Sequence, residues 1–237
     1  MSIENIIKSN ASDIGIDVSD DLINKLEIYA KELKEWNEKI NLTAITDDEG
    51  IAIKHFIDSL MLLKYVDIPE NSEIIDVGTG AGFPGLVIAA ARQDVKVTLL
   101  DSTGKKLKVV ADIAEKMGLS NYTILNMRAE EAGQKKEYRE KFDFATARAV
   151  AELRVLSEYC LPFVKPGGYF VSMKGALAEQ EIENAGNALK VLSGKIEDKF
   201  CFDLCSQGER HIIKIKKISQ IPTKYPRVSA KIAKKPL

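Results

Sequence analysis

Four glycines in eight residues, Gly78, Gly80, Gly82 and Gly85, separate two apolar runs in IIDVGTGAGFPGLVIAAA, residues 74–91. A glycine loop leading from a strand into a helix can approach a ligand closely and adopt φ > 0, so it suits a nucleotide. The chemistry it would serve is transfer of a hydride, a phosphoryl group or a methyl group. GAGFPG, residues 80–85, satisfies G-x-G-x-x-G, and Asp101 follows at the end of KVTLLDS, where an acid can take ribose hydroxyls. No Lys-Ser or Lys-Thr follows the glycines, which argues against a P-loop. Asp76 precedes them. A carboxylate there would repel a pyrophosphate and complement the ammonium and sulfonium of S-adenosylmethionine; the alternative is a carboxylate that caps loop amides. MRAEEAG, residues 127–133, offers backbone groups and an acid at which an adenine amino group can be read.

These residues need a scaffold that brings strand ends together. Residues 20–40 place Leu22, Ile23, Leu26, Tyr29, Leu33, Trp36 and Ile40 at helical spacing behind an acidic start. NLTAITD breaks the pattern, with Asn41 as a turn or cap residue, and EGIAIKHFIDSLMLLKYV resumes it as a second helix. No strand signal precedes residue 73. From there strands alternate with helices: SEIIDVG, KVTLLDS, NYTILNMR, FDFATARAV and GGYFVSMKG read as strands, followed by a closing hairpin of KIEDKFCFDL and ERHIIKIKKI. That order predicts an α/β fold with a mostly parallel seven-stranded sheet and helices on both faces. The expected division is a helical extension over 1–72, a catalytic domain over 73–218 and a basic tail over 219–237. In such a sheet ligands bind at the carboxyl ends of the strands. Arg148 and Lys174, just past the fourth and fifth strands, are therefore expected to point into the site, with a surface ion pair as the other reading. His55, with Asp58 on its next turn, could support that site or contact a substrate, or simply pack and cap.

Composition narrows the classes. The chain has 237 residues, 45% of them hydrophobic, enough for a sizeable core. No apolar run is long enough to span a bilayer, and MSIENIIKSN lacks the pattern of a secretory signal. Cys160, Cys201 and Cys205 form no disulfide framework, and two histidines with one closely spaced cysteine pair do not complete a zinc site. The expectation is a cytoplasmic, metal-free, monomeric protein. Net charge is −1, but residues 212–237 hold eight basic side chains and no acid, leaving the first 211 residues at −9. A basic tail on an acidic body can reach a polyanion, or it can be a solvated tail.

NLTA (41–44), HFIDSL (55–60), IDVGTGAGFPG (75–85), LLDSTGKK (99–106), ARAVA (147–151) and GERH (208–211) together resemble the glucose-inhibited division protein B family. Those proteins are the bacterial methyltransferases G of the small-subunit ribosomal RNA. The resemblance runs from about residue 22 to the C-terminus. It implies a Rossmann-like class I methyltransferase that uses S-adenosylmethionine to methylate N7 of a guanine in 16S rRNA, alone or within a small-subunit precursor. It implies donor contacts at Gly78, Phe83, Ala129, Glu130 and Arg148; the general fold adds Asp101, and φ > 0 in the loop adds Gly80. Guanine N7 is a lone-pair acceptor and needs no deprotonation, so Arg148 and Lys174 are expected to position rather than to move protons. A cation there could take guanine O6, a phosphate or the donor's carboxylate. Candidate RNA contacts are His55, Lys174 and Arg227. The family's Gly-Thr-Pro turn after Tyr-Pro-Arg is replaced here by Ala230, Lys231 and Ile232. The tail is expected to act as an RNA arm whose loss leaves donor binding intact, unless AKIAKKPL folds back onto the body.

Overall fold

The computed structural model describes residues 2–237. Its first third is helical: α1 (Ile3–Asp13), α2 (Asp20–Asn37), a single turn α3 (Asp48–Gly50), a π-helical stretch (Ile51–Ile57) and α4 (Asp58–Tyr65). Ser19 starts α2 by accepting a hydrogen bond from Leu22 N–H at 3.1 Å, with Asp20 and Asp21 in the first turn. Its stripe of Leu22, Ile23, Leu26, Tyr29, Ala30 and Leu33 is buried. The second helix read from the sequence is not one regular α-helix. Its N-terminal half is wound wider, a feature frequent at functional sites, and this stretch carries His55.

The α/β part follows as β1 (Glu73–Val77), α5 (Gly85–Ala91), β2 (Lys96–Asp101), α6 (Gly104–Lys116), β3 (Tyr122–Asn126), α7 (Ala129–Ala132), β4 (Phe142–Arg148), α8 (Leu153–Cys160), β5 (Val164–Lys174), α9 (Ala178–Asn184), α10 (Gly186–Val191), β6 (Gly194–Asp203) and β7 (Glu209–Lys217). A last short helix, α11 (Ser229–Lys234), lies in the basic tail. The seven strands form one sheet in the order β3-β2-β1-β4-β5-β7-β6. All neighbours are parallel except those of β7, which runs antiparallel to both β5 and β6. The order reverses beside β1, so the crevice between the carboxyl ends of β1 and β4 is the place for a ligand.

Two cores sandwich the sheet. One joins its α5/α6 face to the N-terminal helices, and the other buries α8, α10 and the strand residues facing them. Helix α5 is apolar all round, GLVIAAA, because it lies between the sheet and α2 and α4. The N-terminal helices are thus packed directly on the helix that the glycine loop starts. Tyr29 makes the link specific: it is fully buried, its hydroxyl donates to the Ala81 carbonyl at 2.6 Å, and its ring stacks on Phe83 at 5.0 Å.

Tyr29→Phe keeps that stack and strands a buried carbonyl, so it should cost about 1–3 kcal/mol of folding stability. Tyr29→Ala adds a cavity and should cost about 3–5 kcal/mol. Urea unfolding of both variants measures the difference, and parental stability in Tyr29→Phe would remove the hydrogen bond as a stabilising link.

Candidate functional site

The loop between β1 and α5 is shaped by contacts on both sides. Gly78 has φ +76°, and a Cβ there would lie 2.7 Å from Val150 Cγ2. Any side chain is therefore refused by the β4–α8 connection as well as by the backbone. At Gly85 the obstacle is close packing: a Cβ would meet Leu99 Cδ2 at 2.4 Å and Asp76 Oδ2 at 2.8 Å. Asp76 itself is completely buried beneath the loop, where its Oδ2 accepts from Gly85 N–H at 2.9 Å. Its Oδ1 has no partner. Of the two readings of Asp76, the structure supports the cap that ties α5 to β1, and the residue does not line the cleft. Burial pushes its carboxyl up to about 6, against the pull of the Gly85 N–H and the Arg148 charge.

Above the loop lies a cleft of about 750 Å³. Gly78, Gly80, Phe83, Asp101, Ala129, Glu130, Arg148 and His55, each singled out in the sequence, all line it. Asp101 holds the loop through Gly80 N–H on Oδ2 at 3.0 Å and turns the chain through Thr103 N–H on Oδ1 at 2.7 Å. A carboxylate has about four lone-pair positions, so two remain for hydroxyls of a ligand. Ala129 and Glu130 open α7 on the far side, with Val155 and Tyr159 of α8 beside them. An acid at one end, apolar walls and a glycine edge fit an adenosyl group.

The cleft's inner wall is built around Phe83. Its ring stacks on His55 at 4.3 Å and on Tyr29 at 5.0 Å, and the Arg148 guanidinium lies 5.1 Å from its centre. Arg148 is further held by Asp58 Oδ2 at 2.8 Å, the Lys54 carbonyl at 3.0 Å and His55 Nδ1 at 3.2 Å. A guanidinium can only donate, so Nδ1 is the acceptor and Nε2 carries the imidazole proton. That proton goes to Thr43 Oγ1 at 2.9 Å. Burial first, and then the Arg148 charge, lower His55 to about 3, so it is neutral at physiological pH. His55 is a support for Arg148.

A second cavity, of about 570 Å³, opens on the other side of Arg148. The two share His55 and the segment Arg148–Ala151, and Lys54, Asp58, Arg210 and His211 line the second. Lys174 reaches this cavity, but its Nζ is 2.7 Å from Glu181 Oε2 and also donates to the Ala151 carbonyl. Glu181 Oε2 accepts from Leu153 N–H as well, at 2.7 Å. The pair clamps the shared wall, in which Ala149 is strained at φ +55°. Arg210 Nε lies 3.8 Å from Asp58 Oδ1, so one buried carboxylate faces two arginines.

Arg227 requires correction. It lines neither cavity; it forms a two-pronged pair with Glu158, which is fully buried, at 2.8 and 2.6 Å. With its guanidinium so engaged, it is not a free cation for RNA. The tail as a whole folds back: Tyr225 and Ile232 are buried and α11 packs on α8. Lys217 is buried against Glu140 at 2.7 Å, while Lys231, Lys234 and Lys235 stay exposed. Asp58 and Arg210 stood in quoted motifs without an assigned role. Their meeting across 152 positions leaves no local signal.

The model of a family described as rRNA small subunit methyltransferase G matches residues 22–213. Curated relatives of that name include one from Acetivibrio thermocellus, 48% identical over all of this chain and 98% of its own length. Another, from Clostridium botulinum, is 44% identical over the whole of both chains. Among solved structures, M. jannaschii TYW2 in complex with AdoMet aligns over 69% of this chain and 76% of its own, with TM-score 0.54 at 14% identity. TrmN from Thermus thermophilus covers 68% of this chain and 48% of that one, with TM-score 0.53 at 17% identity. At such identities the likeness establishes the class I methyltransferase fold. Among the described residues no helix is long and apolar enough to cross a membrane.

Because folding raises Asp76 above its unfolded value, the group stays protonated in the fold while the unfolded chain ionises. Its contribution is nil below about pH 4, falls between pH 4 and 6, and above that costs on the order of 3 kcal/mol. Asp76→Asn keeps an acceptor for Gly85 N–H and should lack this decline. Denaturant unfolding at pH 4.5 and 7 tests it, and equal pH dependence in both proteins would contradict the assignment.

Proposed function

The chain belongs to the rRNA small subunit methyltransferase G family, and from that membership we propose that it methylates N7 of a guanine in 16S ribosomal RNA. The cofactor is S-adenosylmethionine, which when bound supplies a methyl group on a positively charged sulfur. The observation that carries the reading is the shared wall: the donor-shaped cleft and a second, cation-lined cavity meet at Arg148–Ala151.

Asp101 would hold the ribose hydroxyls, Glu130 and the start of α7 the adenine, and the backbone around Gly78 and Gly80 the methionine end. The second cavity would take the flipped-out guanine, which cannot be reached inside a stacked helix. Its polar side bears Arg148, Arg210 and Lys54 around Asp58, and Met173 and Ile212 supply apolar surface. An arginine often reads guanine through O6 and N7 together. Here N7 must face the methyl group, so only O6 is left for Arg148 or Arg210. Such a cation also steadies the purine as its ring gains positive charge by drawing electron density toward O6. No residue has to remove a proton from N7, which agrees with a neutral His55 buried behind Arg148. The protein's contribution is to align N7 with the carbon–sulfur bond and to exclude water, the sort of positioning that supplies much of a bimolecular rate.

A donor-binding protein without catalysis would not need the second cavity. Incubation with methyl-labelled donor and either bare 16S rRNA or small subunits, followed by mapping of N7-methylguanine, tests the proposal. Label at one guanine N7 is expected; label at another atom would overturn the base assignment. Asp101→Ala should weaken the donor by roughly 1–3 kcal/mol in calorimetry, the cost of stranding ribose hydroxyls. Unchanged affinity would remove Asp101 from the site.

A further inference from the structure

The C-terminal segment is set against the donor cleft, where a free RNA arm would have no reason to be. Ala233, on α11, is one of the residues that line the cleft, and α11 packs on α8, which brings Val155 and Tyr159 to the same lining. Ile232, next to it, is completely buried, which fixes the helix on the body. The residues at the departure from the family's turn, Ala230, Lys231 and Ile232, are the ones that make this helix. Glycine at 230 and proline at 232 would weaken it, the proline by removing the Ile232 N–H bond to the Val228 carbonyl at 3.1 Å.

The segment is tied down at several points. Arg227 closes on Glu158 with its guanidinium and its backbone N–H, both on Oε1 at 2.8 Å and with Nη2 on Oε2 at 2.6 Å. It also donates to the Lys235 carbonyl at 3.1 Å, bracing both ends of α11. Arg139 donates to the Tyr225 carbonyl at 2.7 Å, and Gln134 to the Pro226 carbonyl at 2.8 Å. Glu158 sits on α8 between Val155 and Tyr159, the two α8 residues that face the cleft. The latch and the pocket wall therefore share one helical turn.

We infer that residues 225–237 form a wall of the methyl-donor site, held closed by the Arg227–Glu158 pair, so that donor affinity depends on the C-terminal segment. This rests on the reading of the cleft as the donor site. It replaces the expectation that donor binding is indifferent to the tail. The exposed Lys231, Lys234 and Lys235 then stand on the outside of the same wall, and RNA drawn to them would press the segment shut over the donor. A basic surface with the donor site directly beneath it places RNA attraction and donor retention on one short segment, α11 and its C-cap.

The test uses the full chain with three substitutions and calorimetric titration of S-adenosylmethionine. Ala233→Trp changes no charge and touches an exposed position, so Tm should hold. By crowding the cleft mouth it should raise the donor Kd about tenfold. The salt slope of RNA binding should not move, because no cation is lost. Arg227→Met leaves the buried Glu158 unpaired and should free residues 225–237 to hydrogen exchange while also raising the donor Kd. In the unsubstituted protein, donor should slow exchange in that segment. Asp101→Ala is the control for the cleft. Should Asp101→Ala weaken the donor while Ala233→Trp binds it within twofold of the parent, the wall is overturned and the donor site stands. Should all three leave affinity unchanged, the donor site itself is misplaced. If Arg227→Met fails to fold, Ala233→Trp together with donor-dependent exchange still decides.

Discussion

Phe83 is the point on which the arrangement turns. One ring at the end of the glycine loop stacks with Tyr29 of the N-terminal helices and with His55 of the π-helical stretch, and the Arg148 guanidinium lies against it. Stacked aromatics and a cation over a ring contribute beyond the apolar area they bury, the more so away from water. The consequence is structural coupling. The helical extension, the glycine loop and the end of β4 are coupled, because each supplies a member of the same cluster. The extension is thus part of the site although its helices carry none of the glycine-loop chemistry.

From that cluster the electrostatics follow. The half-buried Arg148 pairs with the buried Asp58, and Arg210 approaches the same carboxylate from β7. Burial raises Asp58 while both arginines pull it back down. A charge held on several sides is preorganised, so little rearrangement is needed when a polar ligand arrives. His55 takes part by its tautomer: accepting from Arg148 on Nδ1 and donating to Thr43 on Nε2, it passes the rigidity of the NLTA loop to the guanidinium. Asn37 Oδ1 fixes that loop in turn through Leu42 and Thr43 N–H.

How much of this was legible depended on sequence distance. The strand–helix alternation, the closing hairpin and the glycine loop are local patterns, and the strand ends follow from topology. Gly78, Phe83, Asp101, Ala129, Glu130 and Arg148 accordingly meet in one cleft. Tyr29 read as core, which it is, but nothing in its helical spacing tells that its hydroxyl reaches Ala81, 52 positions on. The π-helical winding was hidden because apolar periodicity scarcely distinguishes it from an α-helix. Arg227 misled because charge density counts cations without their partners: Glu158 lies 69 positions away. Lys174 had the same ambiguity, and Glu181 resolves it toward a clamp on the shared wall.

Phe83 holds Arg148 where the two cavities meet, so the two side chains should act as a unit. A double-mutant cycle of Phe83→Leu and Arg148→Met on kcat/KM for methyl transfer to ribosomal RNA measures this directly. The double variant should lose less than the product of the two single losses, because both substitutions remove the same ring–guanidinium contact. If the two losses multiply, Phe83 and Arg148 contribute separately and the coupling through the aromatic cluster is wrong.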